Sequence, residues 1–238
     1  RDTSARTLPL VTLTPRSWGL ERFMNGRVSI AVGDDTTVLP VGWRGTHQDS
    51  GTSWQVRHVK RGGEELAAIN IHPPYRKGSG TVFCEYRLQL PEVTPIALEF
   101  QTAIRDNSER EPPSDGVEFR VLARTADQDT DKQLFSRFTT AKTWESGTAS
   151  LDHLAGKDVI LSLWNGSGPD NNTTCDSAYW GAPTLVVGVR PEPVSEAEWE
   201  ARTSQAEGRA KEAAAGKSAE DTFLLGGPNG AYGVAFIP

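Results

Sequence analysis

Five side chains suited to sugar binding fall in two polar, irregular stretches in the first third of the chain. They are Trp43, Arg44, His47, Trp54 and Tyr75. A sugar ring has apolar C–H faces and hydroxyl edges, so its binding site combines aromatic rings with hydrogen-bonding side chains. The stretches 42–54 and 72–78 supply both kinds, and we therefore predict a carbohydrate contact surface there. Burial of these tryptophans in the core of an all-β domain is the alternative.

Acidic residues mark several points where an apolar, alternating segment gives way to a polar one. Asp106, Asp115 and Asp176 are placed in this way. Calcium binds six to eight oxygens, which loops between strands supply readily, so these three are candidate ligands for a structural Ca²⁺. Turn-forming and strand-capping aspartates would give the same pattern.

Catalysis by this chain is not indicated. Glycoside hydrolysis needs two carboxyl groups that flank the scissile bond, and Asp106 with Asp115 is the one candidate pair. Nothing in the sequence brings the two together, and solvated loops would not separate their pKa values. The four histidines are scattered without the spacing of zinc ligands. We therefore expect a chain that is not itself an enzyme.

Strands must position these residues, because apolar and polar residues alternate over much of the chain. Val117 and Phe119 share one parity, and Glu118 and Arg120 share the other. Such alternation, bounded by Gly, Pro, Asn and Asp, predicts half-buried strands of an antiparallel sheet. We expect an all-β, two-sheet antiparallel β-sandwich over residues 1–190, of the jelly-roll, galactose-binding-like type. Segments 134–139 and 148–151 are expected to pair with each other as outer strands.

The composition changes after the predicted sandwich. Ser195 and Glu198 form a capping box, which predicts a helix over about 197–215 within a helical linker spanning 191–222. Residues 223–238 end on a strand-like segment. They are expected either to begin a further domain or to return to the sandwich as a strand.

Charge, hydropathy and cysteine content limit the function classes. The 238 residues carry a formal net charge of −6, which gives no basic surface for nucleic acid, and no apolar run is long enough to cross a bilayer. A start at Arg1 without Met is expected of a processed or excised segment.

Cys84 lies on an apolar parity and should point into the core. Three glycosylation-type triplets indicate that residues 165–175, which end at Cys175, form an exposed loop. Two free thiols and one disulfide between the two cysteines are both compatible with the sequence.

Four short motifs occur in the order found in a known family. They are Ile104-Arg-Asp106, Gly116-Val-Glu-Phe-Arg-Val121, Leu154-Ala-Gly156 and Asp176-Ser-Ala-Tyr-Trp180. This order resembles the NPCBM carbohydrate-binding modules, close to family 51, of bacterial glycoside hydrolases. The resemblance covers about the middle two-fifths of the chain.

The resemblance implies a jelly-roll module that binds an oligosaccharide or polysaccharide, and it permits one structural calcium ion without locating it. It also implies a linked catalytic domain in the same secreted or periplasmic polypeptide, which the module would target to its polysaccharide. A structural or interaction β-sandwich that packs against a catalytic domain without binding sugar is the alternative.

Overall fold

The computed structural model describes residues 16–23, 25–188, 204, 223–226 and 232–235, and the regular secondary structure of this part of the chain is almost entirely strand. Two single 3₁₀ turns, Leu20–Arg22 and Asp152–Leu154, interrupt it. The strands are β1 (Arg16–Gly19), β2 (Arg27–Val32), β3 (Asp35–Val38), β4 (Gly45–Thr46), β5 (Ser53–Arg61), β6 (Glu64–His72), β7 (Gly80–Gln89), β8 (Ile96–Ile104), β9 (Val117–Thr125), β10 (Lys132–Thr139), β11 (Glu145–Ser150), β12 (Asp158–Ser167), β13 (Ala178–Val187), β14 (Phe223–Gly226) and β15 (Tyr232–Ala235).

Two antiparallel sheets form the sandwich, which confirms the predicted fold class. Sheet A has the order β11-β8-β13-β6-β5-β4, with β1 also paired to β13, and sheet B has the order β10-β9-β12-β7-β2-β3. From β6 to β13 the chain places four strands in each sheet in jelly-roll connectivity. One compact unit spans residues 16–187.

The core lies between the sheets and is filled by inward-facing apolar side chains. Trp180 is fully buried, and its ring centroid lies 4.8 Å from that of Phe100 and 5.2 Å from that of Phe119. The indole nitrogen of Trp180 donates a 2.6 Å hydrogen bond to Oδ1 of Asn165. Asn165 is thus a buried residue of β12, and the prediction that the exposed loop begins at this position is wrong.

Cysteine placement and strand pairing test two further predictions. Cys84 is 1% exposed, as its parity predicts, and both Cys84 and Cys175 are free thiols. Strands β10 and β11 do not pair with each other as expected. Each is the edge strand of a different sheet, because the chain crosses between the sheets after β10.

The C-terminal predictions fall mainly outside the described residues. The helical linker lies outside them except for Ser204, which is helical. Strands β14 and β15 pair with each other in antiparallel register, in a second compact unit. Among the described residues, no helix combines the length and the apolar character that crossing a membrane requires.

Candidate functional site

Two loops that the sequence predicted to carry sugar contacts pack directly against each other. The backbone amides of Tyr75 and Arg76 both donate 3.0 Å hydrogen bonds to the carbonyl oxygen of Ser50. The Arg76 guanidinium also donates a 2.7 Å hydrogen bond to the carbonyl oxygen of Gln48. We call the surface formed by residues 47–51 and 75–77 the Tyr75 patch. His47 and Tyr75 are the two predicted contacts that this arrangement brings together.

The Tyr75 ring is exposed and held from more than one side. It is 43% exposed, and its centroid lies 4.7 Å from that of the His72 ring. Gly51 has φ = +74°, and a Cβ at this position would overlap the Tyr75 ring. Glycine is therefore required here both by the backbone conformation and by the close approach of the ring.

Hydrogen-bonding groups lie in the same two loops as this ring. Nδ1 of His47 lies 2.9 Å from the hydroxyl oxygen of Ser50, and the Lys77 ammonium lies 3.6 Å from a carboxylate oxygen of Asp49. Lys77 is a non-glycine residue with φ = +62°, a conformation that costs energy and is common at binding sites. The patch thus offers an aromatic face together with donors and acceptors in fixed loops.

His72 supports this patch as a neutral group. Burial lowers the pKa of the imidazole, opposed by its hydrogen bond to Pro73. Nδ1 donates to the carbonyl oxygen of Pro73 over 2.7 Å, which fixes the ring under Tyr75.

Trp43, Arg44 and Trp54 lie elsewhere, at the edge of the sandwich. Trp54 is 3% exposed and belongs to the core, because its side chain points inward from β5. It and Trp43 line a cavity of about 10 Å³, which is room for about one water and not for a sugar ring. The Arg44 guanidinium donates a 2.7 Å hydrogen bond to the carbonyl oxygen of Glu21. The prediction that Trp54 forms an exposed sugar platform is therefore wrong.

The three predicted calcium ligands separate into one surface residue and one buried pair. Asp106 is exposed and forms a 2.9 Å ion pair with Arg61 from the β5–β6 hairpin. This pairing satisfies its charge at the surface. Asp106 is thus the partner of an arginine in this structure, and its role as a calcium ligand stays a prediction.

Asp115 and Asp176 are different, because their carboxylate oxygens are buried and no ion pair joins either of them to another described residue, although the charge of Lys142 acts on Asp176. Asp176 accepts a 2.6 Å hydrogen bond from the Ser114 hydroxyl on Oδ1. Its Oδ2 and both oxygens of Asp115 are buried and accept no hydrogen bond. The pKa of Asp176 is raised to about 7, mainly by burial and in part by the charge of Asp115, against the hydrogen bond from Ser114.

Three unsatisfied carboxylate oxygens in one place fit a cation with oxygen ligands. Among the described residues, no cluster of three or more acidic, histidine or cysteine side chains could hold a metal. Nearby Glu111 is not available, because it forms a 2.7 Å ion pair with Arg105. Calcium accepts carbonyl and water oxygens besides carboxylates, so Asp115 and Asp176 fit two positions of its ligand set.

The sequence-based reasoning missed a second aromatic surface, on the outer face of sheet B. Trp164 is partly exposed on that face. Phe83 and Arg120 are its cross-strand neighbours on either side. The strand parity of Phe83, Trp164 and Arg120 was the available signal, since all three alternate with buried residues.

Comparison with known proteins gives a fold-level result only. No family model matches the sequence, and no curated protein matches it. Membership in the NPCBM family therefore stays a prediction.

Several solved structures of carbohydrate-binding modules are similar to the chain. A structure of CBM51-2 with GlcNAc and INT domains from Clostridium perfringens ZmpB is 14% identical with a TM-score of 0.44, covering 83% of this chain and 35% of that one. Caldicellulosiruptor saccharolyticus CBM27-1 in complex with mannohexaose is 14% identical with a TM-score of 0.43, and the match covers 77% of this chain and 100% of that one. TmCBM61 in complex with β-1,4-galactotriose is 12% identical with a TM-score of 0.35, and the match covers 57% of this chain and 88% of that one. These TM-scores are below 0.5, so the function has to be derived from the site.

Proposed function

We propose that this chain is a non-catalytic carbohydrate-binding module and that the Tyr75 patch contacts the sugar. The observation that carries the proposal is the exposed Tyr75 ring, which is fixed against Gly51 and His72 and shares its two loops with hydrogen-bonding side chains. The ring provides an apolar surface for the C–H face of a sugar. Because both loops are tied together by main-chain hydrogen bonds, little ordering entropy is lost when a ligand binds.

The placement of the acidic residues supports a binding role over hydrolysis. Asp106 is neutralised by Arg61, and the oxygens of Asp115 are buried. A glycosidic bond would have to lie between two accessible carboxyl groups. This pair does not provide them.

The module would act by bringing a linked enzyme to its substrate. A catalytic domain in the same secreted or periplasmic polypeptide would experience a higher effective concentration of the polysaccharide. Asp115 and Asp176 would hold a structural calcium ion, which would neutralise their buried charge. Within this proposal, family 51-like NPCBM modules are the expected relatives.

A glycan array with a matched pair of variants tests the binding role. Mannohexaose, xylohexaose, β-1,4-galactotriose and GlcNAc, which are bound in the structures of similar modules, belong on the array. We expect Tyr75→Ala to weaken binding of at least one glycan on the array about tenfold or more, because a buried aromatic contact commonly contributes over 1 kcal/mol. Val93→Ala is the control, since Val93 is 58% exposed in the loop at the other end of β7.

Two results would contradict the proposal in different ways. Unchanged binding of every glycan by a folded Tyr75→Ala variant would remove the Tyr75 patch as the contact surface. If the folded wild-type chain bound no glycan, with or without calcium, the binding role itself would be rejected. The structural or interaction sandwich would then be the better description.

A further inference from the structure

The outer face of sheet B carries a second surface with the chemistry of a ligand site. It lies on β7, β9, β10 and β12, and we call it the sheet B face. Its outward-pointing residues include Phe83, Arg87, Glu118, Arg120, Ile160 and Trp164. The Tyr75 patch lies on loops and shares no residue with it.

Trp164 and Arg120 form the centre of the sheet B face. The Arg120 guanidinium carbon lies 4.3 Å from the centroid of the Trp164 ring, a cation–π contact. Two hydrogen bonds of 2.7 and 2.6 Å to the Glu118 carboxylate hold this guanidinium, and the Ser136 hydroxyl donates to the same carboxylate over 3.1 Å. A Cβ at position 166 would overlap the Trp164 ring, so Gly166 allows the ring to lie close to the strand. The platform is therefore held in one geometry.

The sheet B face extends from this platform along β12. Arg124 lies there between Glu85 and Asp131, with nitrogen–oxygen distances of 2.7 and 2.6 Å. Beyond it a surface depression of about 420 Å³ is lined by residues that include Arg87 and Ile160. From Ile160 to Trp164 the strand rises about 13 Å at ~3.3 Å per residue, which exceeds the length of one sugar ring.

The charges on the sheet B face determine what kind of ligand fits it. The central arginines, Arg120 and Arg124, are each already paired with carboxylates. Such pairs leave little net attraction for an anion, but they place donors beside acceptors, as the hydroxyl groups of a neutral sugar require. The Ser162 hydroxyl, buried without a hydrogen-bond partner on the central strand, adds a polar group beneath this surface.

Sheet A does not offer an equivalent surface in the described part of the chain. The β5–β6 hairpin is itself part of sheet A, and its Arg61 lies 4.9 Å from the Tyr179 ring centroid and donates to the Tyr179 hydroxyl over 3.2 Å. The indole nitrogen of Trp144 donates to the carbonyl oxygen of Glu64 in the same region. The aromatic residues on this side therefore contact protein.

We infer that the sheet B face binds a neutral, linear oligosaccharide of three or more sugar units, as a second site independent of the Tyr75 patch. The inference rests on the proposed carbohydrate-binding role and specifies the length and charge of the ligand. Stacking on the Trp164–Arg120 platform supplies the apolar contact. The paired carboxylates and guanidiniums along the strand bind the hydroxyl groups.

The test is calorimetric titration with glucose, mannose and xylose hexasaccharides, their disaccharides, and hexagalacturonate as the charged control. The proteins are the wild type, Tyr75→Ala, Trp164→Ala and Arg120→Gln. Circular dichroism confirms the fold, and Trp164→Phe serves as a second variant if Trp164→Ala unfolds. Tyr75→Ala should still bind at least one neutral hexasaccharide, whereas Trp164→Ala and Arg120→Gln should lose at least tenfold in affinity. The disaccharides and hexagalacturonate should bind at least tenfold more weakly than that hexasaccharide.

Other results separate failure of this site from failure of the binding role. If Tyr75→Ala alone abolishes binding and Trp164→Ala has no effect, the sheet B face is not a site and the proposed function remains. Tighter binding of hexagalacturonate overturns the neutral class of ligand. If the folded wild type binds none of the neutral hexasaccharides, the sheet B site is overturned. It is also overturned if the wild type self-associates and Trp164→Ala removes that self-association.

Discussion

Replacing Asp176 by asparagine should stabilise the calcium-free protein at alkaline pH. The folded state raises the pKa of this carboxyl from 3.8 to about 7, chiefly because burial removes water from the charged form. Between these two values the folded state binds a proton that the unfolded state has released. The free energy of unfolding of the wild type therefore falls as the pH rises from about 4 to about 7, and its Asp176 contribution is constant above that.

The full change in pKa corresponds to at most about 4 kcal/mol at ~1.36 kcal/mol per pH unit. Between pH 5 and pH 8, only the titration from pH 5 up to the folded-state pKa of about 7 changes the free energy of unfolding. The extra stability of Asp176→Asn over the wild type should therefore grow by at most about 3 kcal/mol between these two pH values. Asparagine keeps the size of the side chain and cannot ionise. It can still accept the hydrogen bond from Ser114.

Urea denaturation of both proteins in EDTA, at several pH values from 5 to 8, measures this difference. Subtracting the wild-type curve cancels the groups that titrate equally in both proteins. A difference in the free energy of unfolding that stays constant from pH 5 to pH 8 would refute the assigned pKa. Saturating calcium should make the wild type the more stable protein at pH 8, because calcium binds and stabilises the folded wild type. The Asp176→Asn variant lacks one of the carboxylate ligands and should gain less.

Three further changes test individual contacts. Gly51→Ala should displace the Tyr75 ring, because alanine fits neither the φ of +74° nor the space beside the ring. We expect it to destabilise the chain by about 1–2 kcal/mol in thermal denaturation and to weaken glycan binding. Unchanged binding would contradict the claim that Gly51 fixes the ring. Trp180→Phe should cost about 1–3 kcal/mol in urea denaturation, since Asn165 Oδ1 loses its buried donor, and a smaller loss would mean that the amide finds another partner. Asp106→Asn should leave the calcium affinity unchanged in titration, and a tenfold weakening would restore Asp106 as a ligand.

Side-chain parity was sufficient to predict the fold class, because burial in a sandwich alternates with a period of two. The inward positions of β7 are an example: Val82, Cys84 and Tyr86 are all at most 2% exposed. The same rule places Trp54 inward, because Trp54 shares the parity of Val56. The polar composition of the preceding loop instead led to the prediction that Trp54 contacts sugar.

Contacts between distant segments could not be predicted in this way. Asn165 is polar at an inward position of β12, and only the structure shows that the Trp180 indole satisfies it. Asp115 and Asp176 are separated by 61 residues, and a loop on its own does not indicate where its carboxylates point. Parity likewise cannot specify that β10 and β11 are edge strands of different sheets.

The buried acidic pair and the Tyr75 patch are connected through the loop between β12 and β13. Thr173 in this loop donates its hydroxyl hydrogen bond to the carbonyl oxygen of Pro74, next to Tyr75, and Asp176 lies three residues further on. Calcium bound by Asp176 would order this loop and thereby support Pro74, so chelation should weaken binding at the Tyr75 patch more than at Trp164. That difference follows from geometry, because Trp164 lies within β12, which pairs with β7 and β9 on either side. The two surfaces should therefore respond differently to calcium within one sandwich.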